Sequence, residues 1–350
     1  MRGKSALDSR FDAQRIALAP LVFQATRVMR DLGILDALRE SHTGLTADEV
    51  SEKVGASRHG VLVLLEAGLA AEVVCREAER YLLTSTGFWL LSYESTRINM
   101  DVVQECLFQS VYYLEDSIRE GKPVGLQKSF GDWETIYPAL PHFPESARDS
   151  WLKWDHFYSD AAFAQALPIV FERRPRKLLD VGGNTGEWAM LCANHSEAIS
   201  VTILDLPGVV ALAVENITER GLQNRIDTCG VDLLDDSKPF PEGFDTIWMS
   251  QFLVCFSEER VITLLQRAAA AMDANARLYI LDNFWDRQRH DIATYCLQTL
   301  SLYFTFLANG NSRMYKASDI TEMVESAGLT VEGITDNLGV CSSLMVCCKH

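Results

Sequence analysis

A few residues in one short stretch have the types and spacing for joint chemistry. Asp180 stands just ahead of Gly182 and Gly183, and Gly186 follows in the same turn. A second acid, Asp205, closes the β-branched run 201–205, and Leu206 comes directly after it. Glycine lets a backbone turn with positive φ and lets a ligand approach where a Cβ would block it. The helix that follows such a turn offers unpaired N–H groups. An acid at the tip of the next strand accepts hydrogen bonds from ribose hydroxyls. The pattern therefore predicts a nucleoside ligand. The glycines read G-G-x-x-G, with an acid immediately before them, which suits a ligand carrying a cationic ammonium. A pyrophosphate would be repelled there.

These residues need strands and helices to hold them. Strands are predicted at 177–181, 200–204, 226–230, 246–250, 277–281, 331–335 and 342–348, with helical patterns between all but the last pair. Alternation of this kind builds a parallel, doubly wound α/β sheet. The last two strands are joined by residues 336–341 alone, too few for a parallel crossover, so they form an antiparallel hairpin. The earlier half reads differently. Residues 12–39 carry a broad apolar helical face that needs a partner within the subunit or across a dimer. Thr46 and Glu49 form a capping box, a second helix follows Ser57, and short strands are expected at 72–75 and 81–83. Helix, helix, hairpin is a winged-helix pattern. Its would-be recognition helix offers only Arg58 and His59, too few cations for a DNA reader. Residues 101–120 read as one more amphipathic helix, and an aromatic, turn-rich stretch leads to a band holding Trp154, Asp155, His156 and Tyr158. We expect a helical domain over 1–165 and a ligand-binding domain over 166–350.

Composition narrows the partners. The chain has 350 residues, 48% hydrophobic, with a formal net charge of −16. That is ample for two cores, and the negative charge disfavours nucleic acid and anionic membranes. Nine cysteines without a framework suggest reduced thiols in a cytoplasm. There is no C-x-x-C or paired His/Cys spacing, so no metal site is expected. No apolar run approaches the 18 residues of a membrane span, and the first residues lack the apolar core of an export signal.

Leu179-Asp-Val-Gly-Gly-Asn-Thr-Gly186, followed by Leu204-Asp-Leu-Pro-Gly208, resembles the S-adenosylmethionine (SAM)-dependent small-molecule O-methyltransferases of the plant type, bacterial relatives included. The resemblance covers most of the chain. It implies a Rossmann-like SAM methyltransferase sheet ending in a reversed strand, and an N-terminal, mainly helical, winged-helix-like domain that dimerises and roofs the substrate pocket. It implies SAM as cofactor, held by Asp180, Gly182, Gly183, Gly186, Asp205 and Leu206. Asp232 and Leu233 would meet the adenine, with Ser250 and Tyr158 nearby. Trp154, Val254, Asn283, Tyr295 and Tyr303 would line the acceptor pocket. Arg313 matches a segment more often structural than catalytic.

One position departs from the family. Its general-base histidine falls on Val254, its neighbouring aspartate on Cys255 and its tryptophan on Phe256. Valine accepts no proton. Holding an acceptor in line with the sulfonium methyl can itself supply about 7–11 kcal/mol of the barrier. Three readings stay open: His156 as a replacement base, Cys255 as a second candidate, or positioning alone. The expected protein is a cytoplasmic, homodimeric SAM-dependent methyltransferase acting on a small aromatic or polyketide-like acceptor, with O-methylation the first reading. The alternatives are a SAM-binding relative with a hydroxylase- or decarboxylase-like reaction, and a non-catalytic SAM- or metabolite-sensing dimer.

Overall fold

The computed structural model describes residues 4–349. The chain forms two compact units, one ending at Gln104 and the other starting at Glu105. The boundary expected at 165/166 falls inside a helix of the second unit.

The first unit is mainly helical. Helix α1 (Ala6–Asp31) starts at Ser5, whose hydroxyl accepts from the Asp8 N–H. Gly33, in the left-handed region at φ 79°, separates it from α2 (Ile34–Glu40). The helical pattern of 12–39 is thus a pair that meets at the 31–36 step, as the family resemblance implied, because a residue in the left-handed region cannot continue a right-handed helix. Helix α3 (Ala47–Val54) carries the expected capping box between Thr46 and Glu49. Helix α4 (Arg58–Ala70) is capped by Ser57. The hairpin of β1 (Val74–Glu77) and β2 (Arg80–Leu83) follows, completing the winged-helix order, and then α5 (Ser85–Ser92) and α6 (Glu94–Val102). Met29, Ile34, Leu35, Val50, Val61 and Leu65 are fully buried in its core. On α1, by contrast, Leu7, Phe11, Ile16 and Leu21 are each more than half exposed.

The single helix expected over 101–120 is broken. After α6 come a π-helical turn, Val103–Leu107, a 3₁₀ turn, Ser110–Tyr113, and only then α7 (Leu114–Glu120). The Ser110 hydroxyl donates to the Cys106 carbonyl and the Ser117 hydroxyl to that of Tyr113, which competes with regular helix bonding. Helix α8 (Val124–Phe130) lies so close that a Cβ on Gly125 would sit 2.4 Å from the Ser110 carbonyl oxygen. Helix α9 (Ile136–Ala139) and the 27-residue α10 (Glu145–Phe171) lead to the sheet.

Seven strands form that sheet: β3 (Lys177–Val181), β4 (Ser200–Asp205), β5 (Ile226–Gly230), β6 (Thr246–Ser250), β7 (Arg277–Asp282), β8 (Leu329–Leu338) and β9 (Ser342–Lys349). Their order is β5-β4-β3-β6-β7-β9-β8, with β9 antiparallel to both neighbours and the other pairs parallel. The predicted hairpin at the end is present. Helices α11 (Glu187–His195), α12 (Pro207–Glu219), α13 (Glu258–Ala271), α14 (Asp291–Leu300) and α15 (Ala317–Ser326) complete the unit. Both faces of the sheet carry an apolar core, as a parallel sheet requires. On one face, Trp188 of α11 stacks on Trp248 of β6 at 3.9 Å between centroids. Among the described residues no helix is long and apolar enough to cross a membrane.

Candidate active site

Strand order turns at β3, which has β4 on one side and β6 on the other. The crevice beyond the carboxyl ends of such strands is where open α/β sheets bind ligands. Asp180 sits there, 2% exposed. The Ala189 N–H, in the first turn of α11, donates to its carboxylate. Its Oδ2 has no hydrogen-bond partner. Burial, reinforced by the nearby Asp205, pushes the Asp180 carboxyl up to about 8. A lone buried carboxylate oxygen calls for a cation or a donor. Gly182 makes the turn at φ 71°, and a Cβ there would meet the Phe252 ring at 2.6 Å. The following N–H of Asn184 donates to Asp205 Oδ2 at 2.9 Å, and that of Leu206 to Oδ1 at 2.7 Å. Asp205 is thereby pinned at the tip of β4, and each carboxylate oxygen keeps a lone pair for a further donor.

These groups line one cavity of about 1440 Å³. Pockets for single small ligands run to about 1,000 Å³, so two molecules can share this one. It brings together Asp180, Gly182, Gly183, Asp205, Leu206, Asp232, Leu233, Ser250 and Tyr158 from the expected cofactor set. Trp154, Val254, Asn283 and Tyr303 from the expected acceptor set line it too, as do His156 and Cys255. The Ser250 hydroxyl, like Asp180 Oδ2, lacks a partner. An orphan carboxylate oxygen, an orphan hydroxyl and a pinned strand-tip acid fit the ammonium and ribose of SAM. Asp232 reaches the cavity with its Oδ1 accepting from the Leu234 N–H at 2.9 Å.

Two expected residues lie outside the lining. Gly186 is the left-handed cap of α11 and packs towards Ile203 and Ala213, so the fold itself needs it small. Tyr295 is corrected more sharply: it is 69% exposed. Helix α14 turns Leu297 and Leu300 to the cavity. They are three apart and share a face, whereas Tyr295 is two positions from Leu297 and points away.

At the acceptor end, Val254 is 5% exposed and apolar, as the sequence implied. Beside it stands a group from the polar stretch 281–285 to which sequence alone assigned no role of its own. Asp282, at the tip of β7, is 4% exposed and lines the cavity. It accepts from the Asn283 N–H at 2.8 Å and from the backbone of Val254. Burial pushes its carboxyl up to about 7. The signal available was an acid ending a strand of the central sheet. His156 is half-buried and faces Asp160, one turn on, with Nδ1 3.2 Å from Oδ2. That partner, rather than adjacent Asp155, orients the imidazole. Donating a hydrogen bond to the Asp160 carboxylate raises the His156 pKa. Cys255 is a correction as a proton acceptor: burial pushes its thiol up to about 12, and it donates to the Gln251 carbonyl. It also hydrogen-bonds Tyr137, a further lining residue from the aromatic, turn-rich stretch.

The spacing of Trp151, Trp154, Asp155 and Tyr158 puts all four on one face of α10, and all line the cavity. Trp151 Nε1 donates to the Tyr303 hydroxyl at 3.0 Å, and the Trp154 and Tyr303 rings meet edge-on at 5.4 Å. Arg313 pairs with Glu258 at 2.8 Å and Asp319 at 3.0 Å, a structural clamp on the start of α15.

Comparison with known proteins agrees with this geometry. Residues 112–330 match the O-methyltransferase domain family, and residues 10–81 match the Dimerisation2-like domain. The chain is 25% identical over 333 residues to the L-tyrosine C(3)-methyltransferase of Streptomyces lavendulae, covering 94% of this chain and 89% of that one. It is 26% identical over 309 residues to the N,N-dimethyltransferase OxyT of Streptomyces rimosus, covering 86% and 85%. The apo crystal structure of the SAM-dependent methyltransferase SibL shares the fold, with a TM-score of 0.71 at 24% identity over 96% of this chain and 98% of that one.

Proposed function

The chain belongs to the O-methyltransferase domain family and is a SAM-dependent methyltransferase of small molecules, and from that premise we propose how its own residues do the work. Asp180, with Oδ2 unpartnered at the end of β3, is the observation that carries the reading. It would take the ammonium of SAM, Asp205 the ribose hydroxyls, and Asp232 with Leu233 the adenine. When bound, SAM supplies an electrophilic methyl group.

The acceptor lies between α10 and the tips of β6 and β7. Trp154, Tyr303 and Val254 shape that space and keep water out. The Asp282 carboxylate, held by the N–H groups of Asn283 and Val254, takes the proton from the acceptor hydroxyl. Its raised pKa makes it a far better proton acceptor near neutrality than an exposed aspartate. Because relatives act at oxygen, carbon and nitrogen, the choice of oxygen rests on this carboxylate, which serves a hydroxyl that must lose its proton. We propose further that the protein is a homodimer built mainly on the first unit, and that it works in the cytoplasm. The match to a Dimerisation2-like domain and the exposed apolar residues of α1 support the homodimer. The cytoplasm rests on the unpaired cysteines alone.

Calorimetry tests the cofactor assignment. SAM and S-adenosylhomocysteine should bind, and NAD should not. Asp205→Ala should weaken S-adenosylhomocysteine by about 1–3 kcal/mol through lost hydroxyl contacts. Tight NAD binding, or no binding of either sulfur compound, would overturn it.

A further inference from the structure

Charge is distributed unevenly around the cavity. Its lining holds eleven aspartates and glutamates against three lysines and arginines. Of the three cations, Arg148 is paired with Asp149 at 3.2 Å and Arg260 with Asp236 at 2.6 Å, while Lys122 is solvent-exposed. The positive charge of a bound SAM is matched by Asp180, and Asp282 is held by backbone N–H groups. Asp155 has as its cationic neighbour the adjacent His156, whose imidazole is already held by Asp160.

Asp155 is the one acid in the α10 stripe of Trp151, Trp154 and Tyr158. Its carboxylate makes no hydrogen bond or ion pair among the described residues. It lies near enough to Tyr137, Cys255 and Tyr303 to raise the pKa of each. Burial lifts its own pKa to about 6, so it is mainly ionised at neutrality. A second orphan borders it. Trp154 is 7% exposed, lines the cavity, and its Nε1–H has no partner. An unpaired carboxylate wants a cation, an unpaired N–H wants an oxygen, and the aromatic faces around them favour a cation further.

Resting on the reading above, we propose that the acceptor is a small hydroxylated aromatic molecule carrying a protonated amine, with the ammonium held by Asp155 inside the aromatic wall of α10 and Tyr303. A protonated nitrogen has no lone pair to offer, so the amine is the handle and the hydroxyl is the methylated group. Acceptors bearing a carboxylate alone are excluded by the same charge. Asp155 and Asp282 both act on the thiol of Cys255, so the handle and the reactive end share that neighbour.

Three phenols of similar size test this: tyramine as the cation, 4-methylphenol as the neutral form and 3-(4-hydroxyphenyl)propanoate as the anion. Each is titrated calorimetrically into the full-length protein saturated with S-adenosylhomocysteine. Tyramine should bind at least about tenfold more tightly than the propanoate. Asp155→Asn should bring the two within about threefold of each other, and Asp155→Glu should keep the preference, with S-adenosylhomocysteine affinity unchanged in both. Equal or tighter binding of the propanoate, a preference that survives in Asp155→Asn, or no phenol binding at all would overturn the proposal. Failure of S-adenosylhomocysteine itself to bind would instead overturn the cofactor assignment.

Discussion

The backbone of Val254 donates a hydrogen bond to the carboxylate of Asp282. Position 254, where the family resemblance would put a basic imidazole, carries an apolar side chain, yet its backbone touches a carboxylate. The two residues stand on different strand ends, and only the pairing of β6 with β7, Ser250 opposite Leu281, brings those ends side by side.

This contact gives the first prediction. Asp282→Asn should lower the rate of methyl transfer by about 10²-fold or more while leaving S-adenosylhomocysteine affinity within about twofold. With the Asp282 pKa at about 7, the wild-type rate should rise with pH through that value. The groups that feel Asp282 are Cys255, Cys341 and Tyr315, all protonated across the neutral range, so none masks its titration. The variant's profile should lose the rise centred near that value. A fall of less than threefold would return the mechanism to positioning alone.

A second prediction separates His156 from this role. Its pairing with Asp160 raises its pKa, so more of it is cationic near neutrality than of a free histidine, and a cation accepts no proton. His156→Ala should change turnover by less than about tenfold. Asp160→Asn should lower the imidazole pKa, which NMR titration of the ring can read directly. A loss of three orders of magnitude in folded, SAM-saturated His156→Ala would make His156 the base after all.

Asp180 should trade stability against binding. Its folded pKa of about 8 lies above the unfolded value near 4. A raised carboxyl pKa means the folded state favours the proton: that contribution is complete below the unfolded value and is lost as pH rises through the folded one. Asp180→Asn should therefore raise the thermal midpoint of the ligand-free protein at pH 8.5 by at least about 2 °C, with little change at pH 4.5. The same variant should weaken SAM at least about tenfold. In the wild type at pH 7, binding should release a proton, visible as a buffer-dependent heat.

The exposed apolar residues Leu7, Phe11, Ile16 and Leu21, spread around α1, should be covered in solution. Light scattering at micromolar concentration should give twice the chain mass. Ile16→Glu with Leu21→Glu should give the single mass, with the circular dichroism of the second unit's sheet retained. A wild-type monomer would defeat the idea.

Local sequence was enough for the frame. Strand runs, the glycine turn and the capping box depend on neighbours a few residues apart, so β3 to β9 were legible to within a few residues at their ends, and the short loop 336–341 required the reversed strand. Asp180 and Asp205 could be read because one motif holds each. Tertiary structure decided the rest. The helix that periodicity ran over 101–120 is broken into a π-helical turn, a 3₁₀ turn and α7. Rotation of α14 took Tyr295 away from the cavity, and a helical turn gave His156 the partner Asp160. Asp282 became a candidate base, and Asp155 a candidate anchor, only when strand ends and helix faces far apart in sequence closed around one space. Burial and the company of other charges set a carboxylate's chemistry, and both are properties of the folded neighbourhood.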